Sequence, residues 1–231
     1  MIYNFLLAAS ALAGSSGSGE TLFHSDATAD SFYSLDMDTL IVIDTFPSIG
    51  TYPSGIGGSG SELFNCDRDD DRIYKIDPVT LVDISGGGVA SPALAPAGIG
   101  GTSTQLFHCD DGTDLIYELD TTTMVATDGG VAGPDLAAFG IGGTGSQLFH
   151  VDFLSDKIYE MSPSTRLDIS GGGTATPDSN PRGVGGTLTR LYMCDANNDL
   201  LYEMSPSTRA VINGPISSPS TFPQSVGGIK S

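Results

Sequence analysis

The residues best suited to chemistry are carboxylates, and they come in a repeating pair. Asp-x3-Asp occurs at Asp26 and Asp30, Asp67 and Asp71, Asp110 and Asp114, Asp152 and Asp156, and Asp195 and Asp199. With Asp69, Asp70 and Asp111 these five segments hold thirteen carboxylates. Converging carboxylates suit a Ca²⁺ ion, which takes six to eight oxygens, or a funnel for a cationic ligand. They equally suit tight turns, where Asp accepts backbone N–H bonds and keeps the surface wet. Because the spacing recurs in every segment, the turn role is expected. Asp67, Asp69 and Asp71, in "DRDDD", form the densest group and stand as the candidate cation site, although that stretch lacks the Gly and distal Glu of an EF-hand loop. His24, His108 and His150 share one register position with Asn65 and Met193. Three imidazoles from three repeats suggest a metal, but packing and hydrogen bonding are expected of them. Cys66, Cys109 and Cys194 likewise share a position with Ser25 and Val151, as a small buried site would.

The elements that must hold these residues follow from internal repetition. Five copies begin at Leu22, Leu63, Leu106, Leu148 and Leu191, spaced by 41, 43, 42 and 43 residues. They open "LFHSDATADSFYSLD", "LFNCDRDDDRIYKID", "LFHCDDGTDLIYELD", "LFHVDFLSDKIYEMS" and "LYMCDANNDLLYEMS". Each closes on a Gly-rich apolar motif: "GIGG" at 55, 98 and 140, "GVGG" at 183 and "SVGG" at 225. Every copy offers four short strands: the Gly-rich motif (strand A), "LFHCD" (B), "DLIYELD" (C), and, after a Pro or Thr turn, a fourth such as "TLVDIS" (D). Four strands in about 42 residues is the period of a propeller blade. No 3.6-residue apolar stripe supports a helical solenoid.

The order P-x-G-I, L-F-x-x-D, D-x-I-Y-x-(I/L)-D-P-x-T resembles the NHL and YVTN-like β-propellers across residues 22–228. The resemblance implies an all-β, five-bladed propeller with four antiparallel strands per blade. It implies no function, since lyases, lactonases, lectin-like binders and scaffolds share such folds.

The first copy starts on strand B and the last ends on strand A. The predicted ring therefore closes when the Val226 region supplies the inner strand of blade one, leaving no axial sheet edge open. Residues 14–17, "GSSG", align with "GIGG" but put Ser15 where an apolar side chain belongs. Burying that hydroxyl unpaired costs roughly 1–3 kcal/mol, so Val226 should win the place. Residues 1–19 are then an apolar N-terminal extension and residues 20–231 the propeller. Ile2, Tyr3, Phe5, Leu6, Leu7 and Leu12 form the apolar run. It is shorter than the ~20 residues a membrane span needs and lacks the basic start of a secretory signal. It is read as an assembly anchor, with an atypical signal as the alternative.

The D–A loops vary most. Ser54, Ala97, Phe139, Arg182 and Gln224 immediately precede the Gly-rich motifs and should ring the mouth of the axial channel. Phe139, Arg182, Gln224 and the nearby Tyr52 and Phe222 are the candidate ligand residues, suited to stacking on a sugar and hydrogen-bonding it.

Net charge is −19, from 28 acidic and 9 basic residues. Nucleic acid and anionic membrane demand clustered Lys and Arg, so both classes are set aside. No nucleophile elbow, HExxH or phosphate loop is present. The expected role is a non-enzymatic structural or adhesive subunit, without cofactor, assembling with itself or other subunits on an extracellular or virion surface. A secreted glycan-binding propeller is the alternative, and a hydrolase or lyase the second.

Overall fold

Five four-stranded antiparallel sheets surround one axis in the computed structural model, which describes residues 20–219 and 221–230. The sequence-predicted anchor residues Ile2, Tyr3, Phe5, Leu6, Leu7 and Leu12 lie outside the described residues. Blade one holds β1 (Leu22–Asp26), β2 (Ser31–Leu35) and β3 (Val42–Pro47). Blade two is β4 (Pro53–Ser59), β5 (Glu62–Asp67), β6 (Arg72–Ile76) and β7 (Val89–Ala90). Blade three is β8 (Pro96–Gly101), β9 (Leu106–Asp110), β10 (Leu115–Leu119) and β11 (Val131–Ala132). Blade four is β12 (Ala138–Gly143), β13 (Leu148–Asp152), β14 (Lys157–Met161) and β15 (Thr174–Ala175). Blade five is β16 (Pro181–Gly186), β17 (Leu191–Asp195), β18 (Leu200–Met204) and β19 (Val211–Ser217). The last strand, β20 (Pro223–Gly228), joins blade one, whose order is β20-β1-β2-β3.

Closure follows the expected register: Val226 pairs with His24 and Gly228 with Leu22. Val226 is buried among Leu22, Tyr33, Leu35, Leu40, Tyr192, Cys194 and Leu201, a cluster spanning blades five and one. The other apolar clusters likewise fill the spaces between neighbouring blades. Strand B is therefore buried on both faces, as in β9, which explains its continuous apolar run instead of an alternation. Inner strands approach closely enough to demand glycine. A Cβ on Gly57 would stand 2.3 Å from the Ile99 carbonyl oxygen of the next blade.

Two expectations are corrected. The fourth strand is continuous only in blades one and five. In blades two to four "TLVDIS" and its counterparts give a single bridge (Ile76–Asp83, Leu119–Ala126 or Met161–Asp168), followed by a loop and a two-residue strand. The cause is visible in blade two. Asp83 accepts the backbone N–H groups of Ser85 and Gly87, curling the chain away from the sheet. Gly88 completes the curl at φ +69°, with Tyr74 too close for any Cβ.

The second correction concerns the axis. The glycine strands leave no room for water between them, and Lys230 lies at their far end. Its Nζ donates to the Gly58 and Gly228 carbonyls at 2.8 and 3.2 Å. Burial pushes this ammonium down to about 7, against the attraction of Glu20. The predicted mouth thus opens over a closed axis and not into a channel.

Candidate functional site

Strand A starts, and strand B ends, on one face of the disc, so the D–A loops and the acidic B–C turns meet there. The first Asp of each turn is buried and organises it. Asp67 Oδ1 accepts the N–H groups of Asp69 and Asp70, while its Oδ2 accepts Tyr52 N–H at 2.9 Å. Asp110 and Asp152 repeat this, holding Ala95 N–H and Ala137 N–H at 2.7 Å each. The second Asp is left-handed in all five turns, with φ between 46° and 55° (Asp30, Asp71, Asp114, Asp156 and Asp199). Asp tolerates that conformation better than most residues. The recurring pair is therefore a folding device, whatever else it does. Asp69 accepts from the Thr51 hydroxyl at 3.3 Å. Asp67, Asp69 and Asp71 do not form a metal-ligating cluster, and no three His, Cys, Asp or Glu residues among those described do.

The three imidazoles are wholly buried. Each Nδ1 lies 2.8–2.9 Å from a strand A carbonyl: Ser225 for His24, Gly98 for His108 and Gly140 for His150. Burial lowers all three to about 4. In blade two Asn65 makes the same bond, to the Gly55 carbonyl at 2.7 Å. The three cysteines are buried thiols, and burial raises Cys66 to about 12 and pushes Cys109 and Cys194 up strongly.

The mouth itself is built on five β-bulges. In each blade the A–B register slips between the residue at the Pro53 position and the residue two places on, a Gly in blades two to five and Ser225 in blade one. Ser54, Ala97, Phe139, Arg182 and Gln224 are the extra residues, and a bulge re-aims the side chain it frees. The sequence places them correctly in register but not in exposure. Phe139 and Gln224 are fully buried, so neither offers a ring or amide at the surface. Ser54 is buried too, donating to the Pro96 carbonyl at 2.7 Å. Tyr52, Arg182 and Phe222 keep partial exposure.

Arg182 is the centre of the arrangement. Its guanidinium carbon stands 4.1 Å from the Phe139 ring centroid, 4.7 Å from Phe153 and 5.5 Å from Phe222. Phe139 and Phe153 meet edge to face at 5.6 Å. Arg182 Nε donates to Asn180 Oδ1 at 2.9 Å. Among the described residues its two terminal nitrogens have no hydrogen-bond partner and no carboxylate within ion-pair distance. Other arginines pair across blades: Arg68 with Asp111 at 2.8 Å, Arg209 with Glu160 at 3.0 Å, and Arg166 with Glu118 and Asp128. Burial lowers the Arg182 guanidinium, with Tyr52, Asp111 and Arg68 in its electrostatic reach.

A loop switch creates this cage. In blades two to four the D–A loop N–H bonds to the first Asp of its own blade, as above. Entering blades five and one, the loop residue turns left-handed, Asn180 at φ 71° and Phe222 at φ 74°. Its N–H then goes to the preceding blade, to Asp156 Oδ1 at 2.8 Å and Asp199 Oδ1 at 2.7 Å. The switch accompanies the Asn180 bond to Arg182 and the Phe222 ring beside it. It also leaves Asp195 Oδ2 buried without a hydrogen bond. Burial raises that carboxyl to about 6, opposed by the N–H bonds from Asn198 and Asn197.

Sequence reasoning missed Phe153 and Asn180. The signal for Phe153 was present: its position in the acidic turn holds Ala27, Arg68, Asp111 and Ala196 in the other repeats.

No known family model matches the chain, and no curated protein does. Solved structures with the same fold include the nidogen/laminin complex, at TM-score 0.60 and 12% identity, covering 90% of this chain and 98% of that one. Virginiamycin B lyase from Staphylococcus aureus superposes at TM-score 0.51 and 14% identity, covering 82% of this chain and 64% of the lyase. Myxococcus xanthus glutaminyl cyclase does so at TM-score 0.55 and 10% identity, covering 76% and 69% respectively. The chain thus spans just under two thirds of the lyase's length. At these identities the likeness is one of fold, which enzymes and a non-enzymatic complex share.

Proposed function

We propose that the chain is a non-enzymatic adhesive propeller that holds a glycan at its D–A mouth. One observation supports this above the rest. Of five bulges that carry chemically unlike residues, the one at Arg182 brings a charged side chain to the mouth beside the partly exposed Tyr52 and Phe222, while the turn carboxylates and buried histidines around it serve the framework. A rigid frame with a differentiated rim suits recognition. A glycan array probed with the full chain tests it. Binding should fall at least tenfold in Tyr52→Ala and Phe222→Ala, and mass spectrometry should recover the bound glycan unchanged. Cleavage of that glycan would instead support the hydrolase or lyase reading, and no binding to any glycan would reject the adhesive one. In the same proposal the apolar run at residues 2–12 anchors the disc in a larger extracellular assembly. Deleting residues 1–19 should abolish self-association in size-exclusion chromatography, and unchanged association overturns the anchor.

A further inference from the structure

Resting on the recognition mouth just proposed, we infer that its ligand is a glycan bearing a carboxylate, a uronic acid, held by the terminal nitrogens of Arg182. Neutral sugars are commonly held by stacking on an open aromatic face. Here the Phe139 ring is wholly buried, and Phe139, Phe153 and Phe222 all lie within 5.5 Å of the Arg182 guanidinium. The faces available at the centre of the mouth are thus occupied by a cation. A cationic ligand is disfavoured for the same reason, since Arg182 already fills the aromatic cage.

Arg182 keeps partial exposure, and its two terminal nitrogens are left without a partner among the described residues. Nε is committed to Asn180 Oδ1, which fixes the plane of the group. Three ring contacts restrain the group further, so little rotamer freedom is lost on binding. A planar donor edge matches a carboxylate, which accepts two parallel N–H bonds. With 28 acidic residues in the chain, a carboxylate from the protein itself would be the ordinary partner of an arginine. Arg182 has none among the described residues, whereas Arg68, Arg166, Arg190 and Arg209 each have at least one, and Arg72, which also has none, gives its guanidinium to two backbone carbonyls instead. The loop switch at Asn180 and Phe222 is part of the same device. It takes the Asn180 N–H to Asp156 while the Asn180 side chain turns to Arg182. The Tyr52 side chain is partly exposed and in electrostatic reach of Arg182, so it belongs to the same mouth.

The test is titration of the full chain with glucuronate, glucose and acetate at fixed ionic strength, followed by the Arg182 Nε–H resonance and by calorimetry. Glucuronate should shift that resonance and bind at least tenfold more tightly than glucose or acetate. Arg182→Gln should lose at least tenfold in glucuronate affinity, Arg182→Lys should retain part of it, and Arg72→Gln should be unchanged, because Arg72 bonds the Gly87 and Gly88 carbonyls in a blade-two loop. Melting curves of each variant separate lost binding from lost folding. Equal binding of glucose and glucuronate, or glucuronate binding that survives Arg182→Gln, overturns the carboxylate assignment while leaving a glycan-binding mouth in place. Acetate binding as tightly as glucuronate overturns the sugar half of the inference. Binding of no glycan of either charge sinks both this inference and the adhesive function.

Discussion

Replacing Val226 by Thr should weaken the whole ring at its seam. Val226 is 1% exposed and packs against Leu22, Tyr33, Leu35, Leu40, Tyr192, Cys194 and Leu201. The change keeps the shape but exchanges a methyl for a hydroxyl among apolar neighbours. Losing one buried methyl costs about 0.8 kcal/mol, and an unpaired buried hydroxyl adds roughly 1–3 kcal/mol, for a total near 2–4 kcal/mol. Val226→Ala should cost about 2–3 kcal/mol through transfer and cavity together. Urea unfolding gives both values. Hydrogen exchange then locates the damage: β1, which pairs with β20, should lose protection before the inner strands of blades three and four. Val184→Thr, at the same position of blade five, should show a similar global loss without singling out β1. A loss under about 1 kcal/mol for Val226→Thr, within the usual range of surface changes, or β1 amides as protected as before, would refute closure by the C-terminal strand.

Other outcomes follow from the same structure. His108 has a folded-state value near 4 against 6.5 when free, so its contribution is complete above pH 6.5 and is withdrawn as pH falls towards 4. In His108→Asn, which copies blade two, that dependence should vanish. The stability of the natural chain relative to the variant should fall by roughly 3 kcal/mol from pH 7 to pH 4, and a ring titrating near 6.5 by NMR would contradict this. Lys230 acts in the same direction at alkaline pH: its ammonium is penalised in the fold, about 7 against 10.5 when free. The penalty is complete below pH 7 and relieved as pH rises, so stability relative to Lys230→Met should rise by about 1.4 kcal/mol per pH unit between pH 7 and 9.5; a flat difference rejects the burial. Gly57→Ala, facing a carbonyl 2.3 Å from its Cβ, should cost roughly 3 kcal/mol or more through overpacking. Gly86→Ala, at φ +79° with nothing within 4 Å, should cost only about 1–2 kcal/mol of left-handed strain, and equal melting temperatures for the two variants would count against the close packing of inner strands.

The period, the blade count, the strand order and the seam were legible in the chain because each is written in local spacing. Repeats of 41 to 43 residues name the blade. The apolar Val226 and polar Ser15 decide which copy of the inner strand is worth burying. The Asp-x3-Asp turn was legible for the same reason: both residues act within a few positions of themselves, one accepting N–H bonds and the other adopting a left-handed φ. Tertiary structure alone decided the site. Phe139, Phe153, Arg182 and Phe222 come from three blades, and no spacing shows that one ring is buried beneath a guanidinium while another leans on it. The loop switch at Asn180 and Phe222 was equally hidden, since it turns on which of two carboxylates, in different blades, a backbone N–H meets. Local sequence sets what a residue can do, and the packing of blade on blade sets what it faces.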